Sequence, residues 1–230
     1  MIPIRDDVPR SSTPYVTYFL IAANVLVFVF ELSLGGRSRA AFIYQFGIVP
    51  LRIDQGIFGH APLDAAFVSI FTSMFLHASW LHLIANMWVL WIFGDNIEDQ
   101  LGHFRYLIFY LICGLGAAVL HILFNQGSSI PSVGASGAIA GVMGAYFLLY
   151  PAARVLTLVP FFFVFFIWLP AWIVLGYWFV VQFLSGAATS ITQTTGGGGV
   201  AFWAHVGGFI AGAGLIRLFP SRKPRFFYTT

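Results

Sequence analysis

SVGASGAIAGVMGAYFLLYP, residues 132–151, is an apolar stretch that opens on a serine held between Gly134, Ala135 and Gly137. The 15 residues from Ser136 to Tyr150, read as a helix, rise about 22 Å at 1.5 Å each. A bilayer's hydrocarbon core is about 30 Å thick. With Tyr150, Pro151 and Arg154 marking one boundary, Ser136 is expected to lie sunk below the opposite surface. The polar approach NQGSSIPSVG would then line a water-filled depression, a setting in which irregular backbone is tolerated at such depth.

The sequence around this stretch is of the same kind. Of 230 residues, 59% are hydrophobic, 18% aromatic and 8% charged, with a mean hydropathy of +0.87. Soluble domains carry about 25% charged residues, so this chain cannot cover a water-facing surface and reads as an all-α integral membrane protein in contact with the lipid bilayer. Six apolar runs, about 15–34, 80–96, 105–124, 136–150, 168–185 and 201–219, predict six transmembrane helices. The first run is about twice the length of a signal peptide's apolar core and reads as a span. The lone Cys113 excludes an intramolecular disulfide.

Cytoplasmic segments retain an excess of Lys and Arg. Arg5, Arg10, Arg105, Arg154, Arg217, Arg222, Lys223 and Arg225 fall on one side of the predicted topology, and Arg37, Arg39 and Arg52 on the other. Both termini are therefore expected in the cytoplasm, with the protein multi-pass in the cell (inner) membrane. The formal charge of +3 is largely this topology signal. No basic helix or aromatic-basic platform outside the spans suggests nucleic acid.

The expected organisation is a cytoplasmic segment 1–14, a single domain 15–219 and a basic tail 220–230. The outer loop 35–79 suits amphipathic segments at the interface. Residues 155–167, VLTLVPFFFVFFI, are apolar, but Pro160 and Pro170 and the β-branched and aromatic content favour a short hairpin or re-entrant piece over a seventh span. GAATSITQTTGGGGV, 186–200, reads as a flexible outer link.

Polar groups inside spans are expensive and mark functional candidates. They are His77, His82 and Asn86 in HASWLHLIAN, His121, Ser136 and His205. A serine among small residues also serves close helix packing or capping, and His82 and Asn86 could simply bond to neighbouring helices. His205 needs a hydrogen-bond partner. Gly208 and Gly212 follow it on one face, which is expected to meet the Ser136, Ala140, Gly144 face of the fourth span and so bring Ser136 beside His205. That pair is the minimum for acyl transfer, a nucleophile and its general base. No third member is assigned to the pair, which reads as a dyad. His82 and Asn86, four apart on one face, could supply oxyanion donors with the Ser136 N–H.

These residues resemble the rhomboid intramembrane serine proteases. GASG with Ser136, AHVGG with His205, and His77, His82 and Asn86 stand in that family's order, and GDNIEDQLGHFRY resembles its segment after the second span, with Glu98 and Gly102 matched. The resemblance implies six helices around a water-filled catalytic cavity and hydrolysis of single-pass transmembrane protein substrates near the outer face. It assigns Ser136 as nucleophile, His205 as general base and then acid, and His82, Asn86 and the Ser136 N–H as oxyanion donors. His77 is implied to be structural, Gly134, Gly137, Gly208 and Gly212 are read as close-packing positions, and no metal or cofactor is implied. Ala140 is a departure from the resemblance, since that position often carries a ring in the family that packs on the catalytic histidine, so His205 must be held by something else. The Trp-Arg pair of some members' first outer loop is absent, and FGIVPLRI begins this loop instead.

A catalytically idle client-binding member of the same fold is the alternative, and it would be expected to lack the serine or the histidine. A metal hydrolase is disfavoured because His77 and His82 are five apart and no paired carboxylates accompany them. No inverted repeat supports a transporter. His103 and His121 default to interfacial or packing roles, and His60 to a solvated one.

Overall fold

In a bundle immersed in lipid, a helix turns its few polar residues inward and its apolar residues out. The first long helix does so. In a computed structural model describing residues 1–58, 64–161, 163–192 and 201–221, α1 (Tyr15–Ser33) buries Thr17, Leu20, Asn24, Phe28 and Glu31 at helical spacing. Its Phe19, Val25, Leu26, Val29 and Phe30 are exposed, Leu26 by 70%. Such an arrangement is stable only with apolar surroundings.

The chain continues through α2 (Gly36–Phe46), α3 (Pro50–Phe58) and α4 (Asp64–Thr72), short helices in the region expected to hold interfacial segments. A single 3₁₀ turn at Ser73–Phe75 leads into α5 (Trp80–Leu101), then α6 (His103–Phe124), α7 (Ser136–Leu149), α8 (Ala171–Thr192) and α9 (Phe202–Leu215). Among the described residues, Tyr15–Ser33, His103–Phe124 and Ala171–Ser190 are long and apolar enough to cross a membrane. Phe67–Phe75 and Trp80–Leu101 pass that test together but are bent by 86°. The remaining two apolar helices, α7 and α9, have 14 residues each, about 21 Å.

Two expectations change. The chain is mostly helical but not all-α: β1 (Ile2–Asp6), β2 (Arg154–Phe161) and β3 (Phe163–Pro170) form an antiparallel sheet in that order. The hairpin expected at 155–167 is the β2–β3 pair, with Arg154 opposite Pro170 and Phe161 opposite Phe163. The segment before the first span supplies the third strand, pairing Ile2 with Leu158 and Asp6 with Val155. Pro160 is tolerated because β1 pairs only as far as Leu158, so no ladder needs an N–H from it on that side. The link expected at 186–200 is helical as far as Thr192. Its remainder, with Gly196 to Gly199, lies outside the described residues, as do His60 and most of the basic tail.

At the end of the bundle opposite Ser136, a polar cluster ties the elements together. The Glu98 carboxylate accepts the N–H groups of Val16 (2.9 Å) and Thr17 (2.8 Å) and the Thr17 hydroxyl (2.7 Å). It caps α1, whose own cap position is Pro14 and offers no side-chain acceptor. His103 Nδ1 lies 2.6 Å from the same carboxylate, so this histidine packs into the cluster. Beneath this layer Tyr106, Tyr110, Tyr146, Phe93 and Phe109 are fully buried.

Candidate active site

The site begins with the segment entering α5. Ser79 Oγ accepts the His82 N–H at 3.2 Å and caps the helix. Just upstream, Glu31 of α1 accepts the His77 N–H at 3.1 Å. Arg39 of α2 donates to the carbonyls of His77 (3.0 Å) and Ala78 (3.1 Å), its guanidinium 3.5 Å from the Glu31 carboxylate. Asn86 Nδ2 donates to His77 Nε2 at 3.0 Å, and the His77 and His82 rings meet edge-on at 5.1 Å. His77 thus orients the Asn86 amide from the side.

The approach to α7 is tied to the loop helices. Ile48 and Ser132 exchange backbone hydrogen bonds of 3.0 and 2.7 Å, and the Gly134 N–H donates to Ser73 O at 2.9 Å. At Gly134 φ is +132°, and a Cβ there would lie 2.7 Å from His82 Cε1 and Nε2 and 3.6 Å from Asn86 Nδ2. Only glycine lets this strand of chain lie on His82 and Asn86, two residues before Ser136. Gly134, expected among the close-packing positions of the helices, therefore faces side chains of α5.

α7 and α9 meet backbone to backbone. A Cβ on Gly208 would fall 1.9 Å from Gly137 O, one on Gly212 1.9 Å from Gly141 O, and one on Gly144 2.1 Å from Phe209 O. The contact includes Gly144 and Ala140 of the expected Ser136, Ala140, Gly144 face, the latter 3.4 Å from a Cβ on Gly208, and its closest approaches also run through Gly137 and Gly141. Ser136 is partly exposed, while His205 is buried.

Across that seam His205 Nε2 lies 2.8 Å from Ser136 Oγ, and His205 Nδ1 lies 2.7 Å from Gln182 Oε1 of α8. Trp178, one turn before Gln182, sets its ring 5.6 Å from the imidazole at 37°. Neither α8 residue was singled out from the sequence. The available signal was an amide inside an apolar helix with an aromatic four residues earlier on the same face. Together they hold the histidine that Ala140 leaves without a ring. His121 is buried and meets Asn125. With Met74, Gly114, Ala117, Ser132 and Gly137 it walls a small cavity beside Ser136. A hydroxyl at hydrogen-bond distance from an imidazole, beside a side-chain amide, a second imidazole and a helix N-terminus, can carry out nucleophilic attack with a stabilised oxyanion.

The Rhomboid domain profile matches residues 64–222, more than half of the chain and all the elements just described from α4 to α9. The chain belongs to the rhomboid family. It is 40% identical over 158 residues to RHOMBOID-like protein 6, mitochondrial, of Arabidopsis thaliana, covering 58% of this chain and 50% of the relative. To the Rhomboid protease GluP of Bacillus subtilis (strain 168) it is 33% identical over 144 residues, 62% of this chain and 26% of the relative. RHOMBOID-like protein 1 of Arabidopsis thaliana is 29% identical over 153 residues, covering 57% of this chain and 39% of the relative. The chain spans half or less of the length of these relatives. As a rhomboid it is a multi-pass membrane protein, and the resemblance noted in its serine and histidine motifs is a family membership.

Proposed function

We propose that this rhomboid chain is an intramembrane serine endopeptidase that cuts membrane-anchored, single-pass proteins near the outer membrane face through a Ser136–His205 dyad. The 2.8 Å approach of His205 Nε2 to Ser136 Oγ is the observation that carries the reading. Ser136 Oγ attacks the scissile carbonyl as His205 takes its proton, and His82, Asn86 and the Ser136 N–H hold the oxyanion. His205 then protonates the leaving amine, and a water, deprotonated by the same imidazole, hydrolyses the acyl-enzyme and restores Ser136. The helix N-terminus behind Ser136 favours the developing negative charge. A substrate helix must unwind before Ser136 reaches a carbonyl, since its amides are tied up in i→i−4 bonds.

The full topology belongs to the same proposal. Six spans, with both short helices counted, surround a water-filled cavity opening at the Ser136 side, and the excess of basic residues puts both termini in the cytoplasm. The domain comprises 15–219, flanked by the terminal segments.

A fluorophosphonate probe tests the chemistry without a substrate. Attack of Ser136 Oγ on phosphorus displaces fluoride and leaves one phosphonyl adduct, readable by intact mass on protein in mild detergent. A single adduct on the wild type, absent from Ser136→Ala and His205→Ala, is expected. A folded wild type that stays unlabelled beside a labelled active relative would overturn this reading in favour of an idle client-binding protein.

A further inference from the structure

We infer that Gln182 is a positioning residue that fixes the tautomer and plane of the His205 ring from α8, in the role that a carboxylate fills in a Ser-His-Asp arrangement. This rests on the protease reading above. An imidazole can serve as base to Ser136 only if its Nε2 lone pair faces the hydroxyl, so the ring proton must sit on Nδ1. Nδ1 faces Gln182 Oε1 at 2.7 Å. An amide oxygen accepts and cannot donate, so this contact selects the Nδ1–H form. Gln182 is itself buried, and a buried amide leaves its site only at the cost of losing that bond.

The arrangement divides the labour between helices. Ser136 and His205 stand on α7 and α9, whose separation is set by glycine against carbonyl. That seam fixes distance but not the rotation of the imidazole about its own χ angles. Both groups that restrict rotation, Gln182 and the Trp178 ring, come from α8 and lie four residues apart on one face. A neutral amide orients the ring without placing a full negative charge in a low-dielectric interior, where an unpaired carboxylate is costly. It also leaves the imidazolium formed during attack without the added stabilisation of an ionic partner, so exchanging the amide for a carboxylate has a readable consequence.

The test uses the full chain in lipid nanodiscs with three proteins, wild type, Gln182→Met and Gln182→Glu, and two readouts. In the first, the second-order rate of fluorophosphonate labelling is followed from pH 5 to 9. Gln182→Met, similar in shape but unable to accept a strong hydrogen bond, is expected to label at least about tenfold more slowly at pH 7.5, since positioned proton transfer contributes about 10²- to 10⁴-fold. Gln182→Glu keeps the acceptor, and is expected to label within a few-fold of wild type with the acidic limb of its profile displaced to higher pH, because a carboxylate favours the imidazolium. A residue that only filled space between α8 and α9 would give comparable losses in both variants and leave the limb in place, and that result overturns the inference. In the second readout, ¹⁵N NMR of histidine-labelled protein, with the His205 signals assigned by their loss in His205→Ala, reads the tautomer directly. The Nδ1–H form in wild type and its depletion in Gln182→Met are expected, and an unchanged tautomer overturns the assignment even if no labelling occurs. A wild type that fails to label while its tautomer responds to Gln182→Met removes the protease reading and leaves the positioning role standing.

Discussion

Ser136 occupies the first position of α7, where the backbone N–H has no acceptor within its own helix. Two residues earlier the Asn86 amide and the His82 ring come up against the chain at Gly134, which has no Cβ to hold them off. Asn86 gives one of its two amide hydrogens to His77 Nε2, which leaves the other for the oxygen of the transition state in the proposed reaction. Removing one donor of this kind costs about 10²- to 10³-fold in rate. Asn86→Ala and His82→Ala are each expected to lower kcat by about that range, with KM nearly unchanged, because the donors act on charge that the ground state lacks. Steady-state kinetics on a membrane-embedded substrate would check this, and a loss confined to KM would move these residues from the oxyanion to substrate binding. At this scale the sequence was legible where a polar group was expensive: serine and histidine in apolar helices stand out. Gln182 carries the same signal as Asn86, an amide inside an apolar helix, but what gives it a role, His205 lying opposite it from 23 positions away, is set by the packing of α8 on α9.

Among the helices, glycine spacing was the readable signal and its rotational setting was not. Gly208 and Gly212 announce a close-packing face of α9, but that α7 answers most closely with Gly137 and Gly141, beside Ala140, depends on a turn of about 100° per residue that composition does not encode. The resulting contact makes a paired prediction. A methyl at Gly212 meets Gly141 O at 1.9 Å, whereas at Gly214, on the same helix, nothing lies within 4 Å. Gly212→Ala is expected to destabilise the bundle by about 1–3 kcal/mol through overpacking, and to lower probe labelling as well, since the same seam sets the Ser136–His205 distance. Gly214→Ala is expected to be neutral or slightly stabilising, because alanine restricts the unfolded chain more than glycine does. Thermal unfolding in detergent compares the two, and equal effects would mean that the helices separate without resistance. Strand pairing was less legible still: β2 and β3 are neighbours in sequence and the hairpin was anticipated, but β1 finds β2 across some 150 residues, and a five-residue strand carries no pattern that names so distant a partner.

Across the whole molecule, β1 does more than extend the sheet, because its last residue reaches into the helix bundle. Asp6 Oδ2 accepts from the Tyr146 hydroxyl of α7 at 2.5 Å and from Asn96 Nδ2 of α5 at 2.8 Å. The N-terminal segment is thereby fastened to the two helices that also carry Asn86 and Ser136 at their opposite ends. Burial raises the Asp6 carboxyl from its ordinary value to about 6, partly offset by the Tyr146 hydrogen bond and reinforced by the neighbouring Asp7. Asp95 of α5 and, beyond it, Arg10 and Asp99 also face this end of the bundle. The sign follows from linkage. A carboxyl with its folded pKa above its unfolded one binds its proton more tightly when folded, so its contribution to stability is greatest at low pH. That contribution falls as pH rises from about 4 toward about 6 and is constant beyond. Asp6→Asn keeps an oxygen to accept from Tyr146 and Asn96 but cannot ionise. Relative to this variant, the wild type is expected to lose apparent Tm as pH climbs through that window and to run parallel to it from pH 7 upward. Differential scanning fluorimetry of both proteins between pH 4 and 8 supplies the comparison, and the pH dependence of their difference, rather than its size, is the readout. A difference that stays constant across the range would mean that Asp6 carries the same charge folded and unfolded, and that the strand is held to the bundle by hydrogen bonds alone.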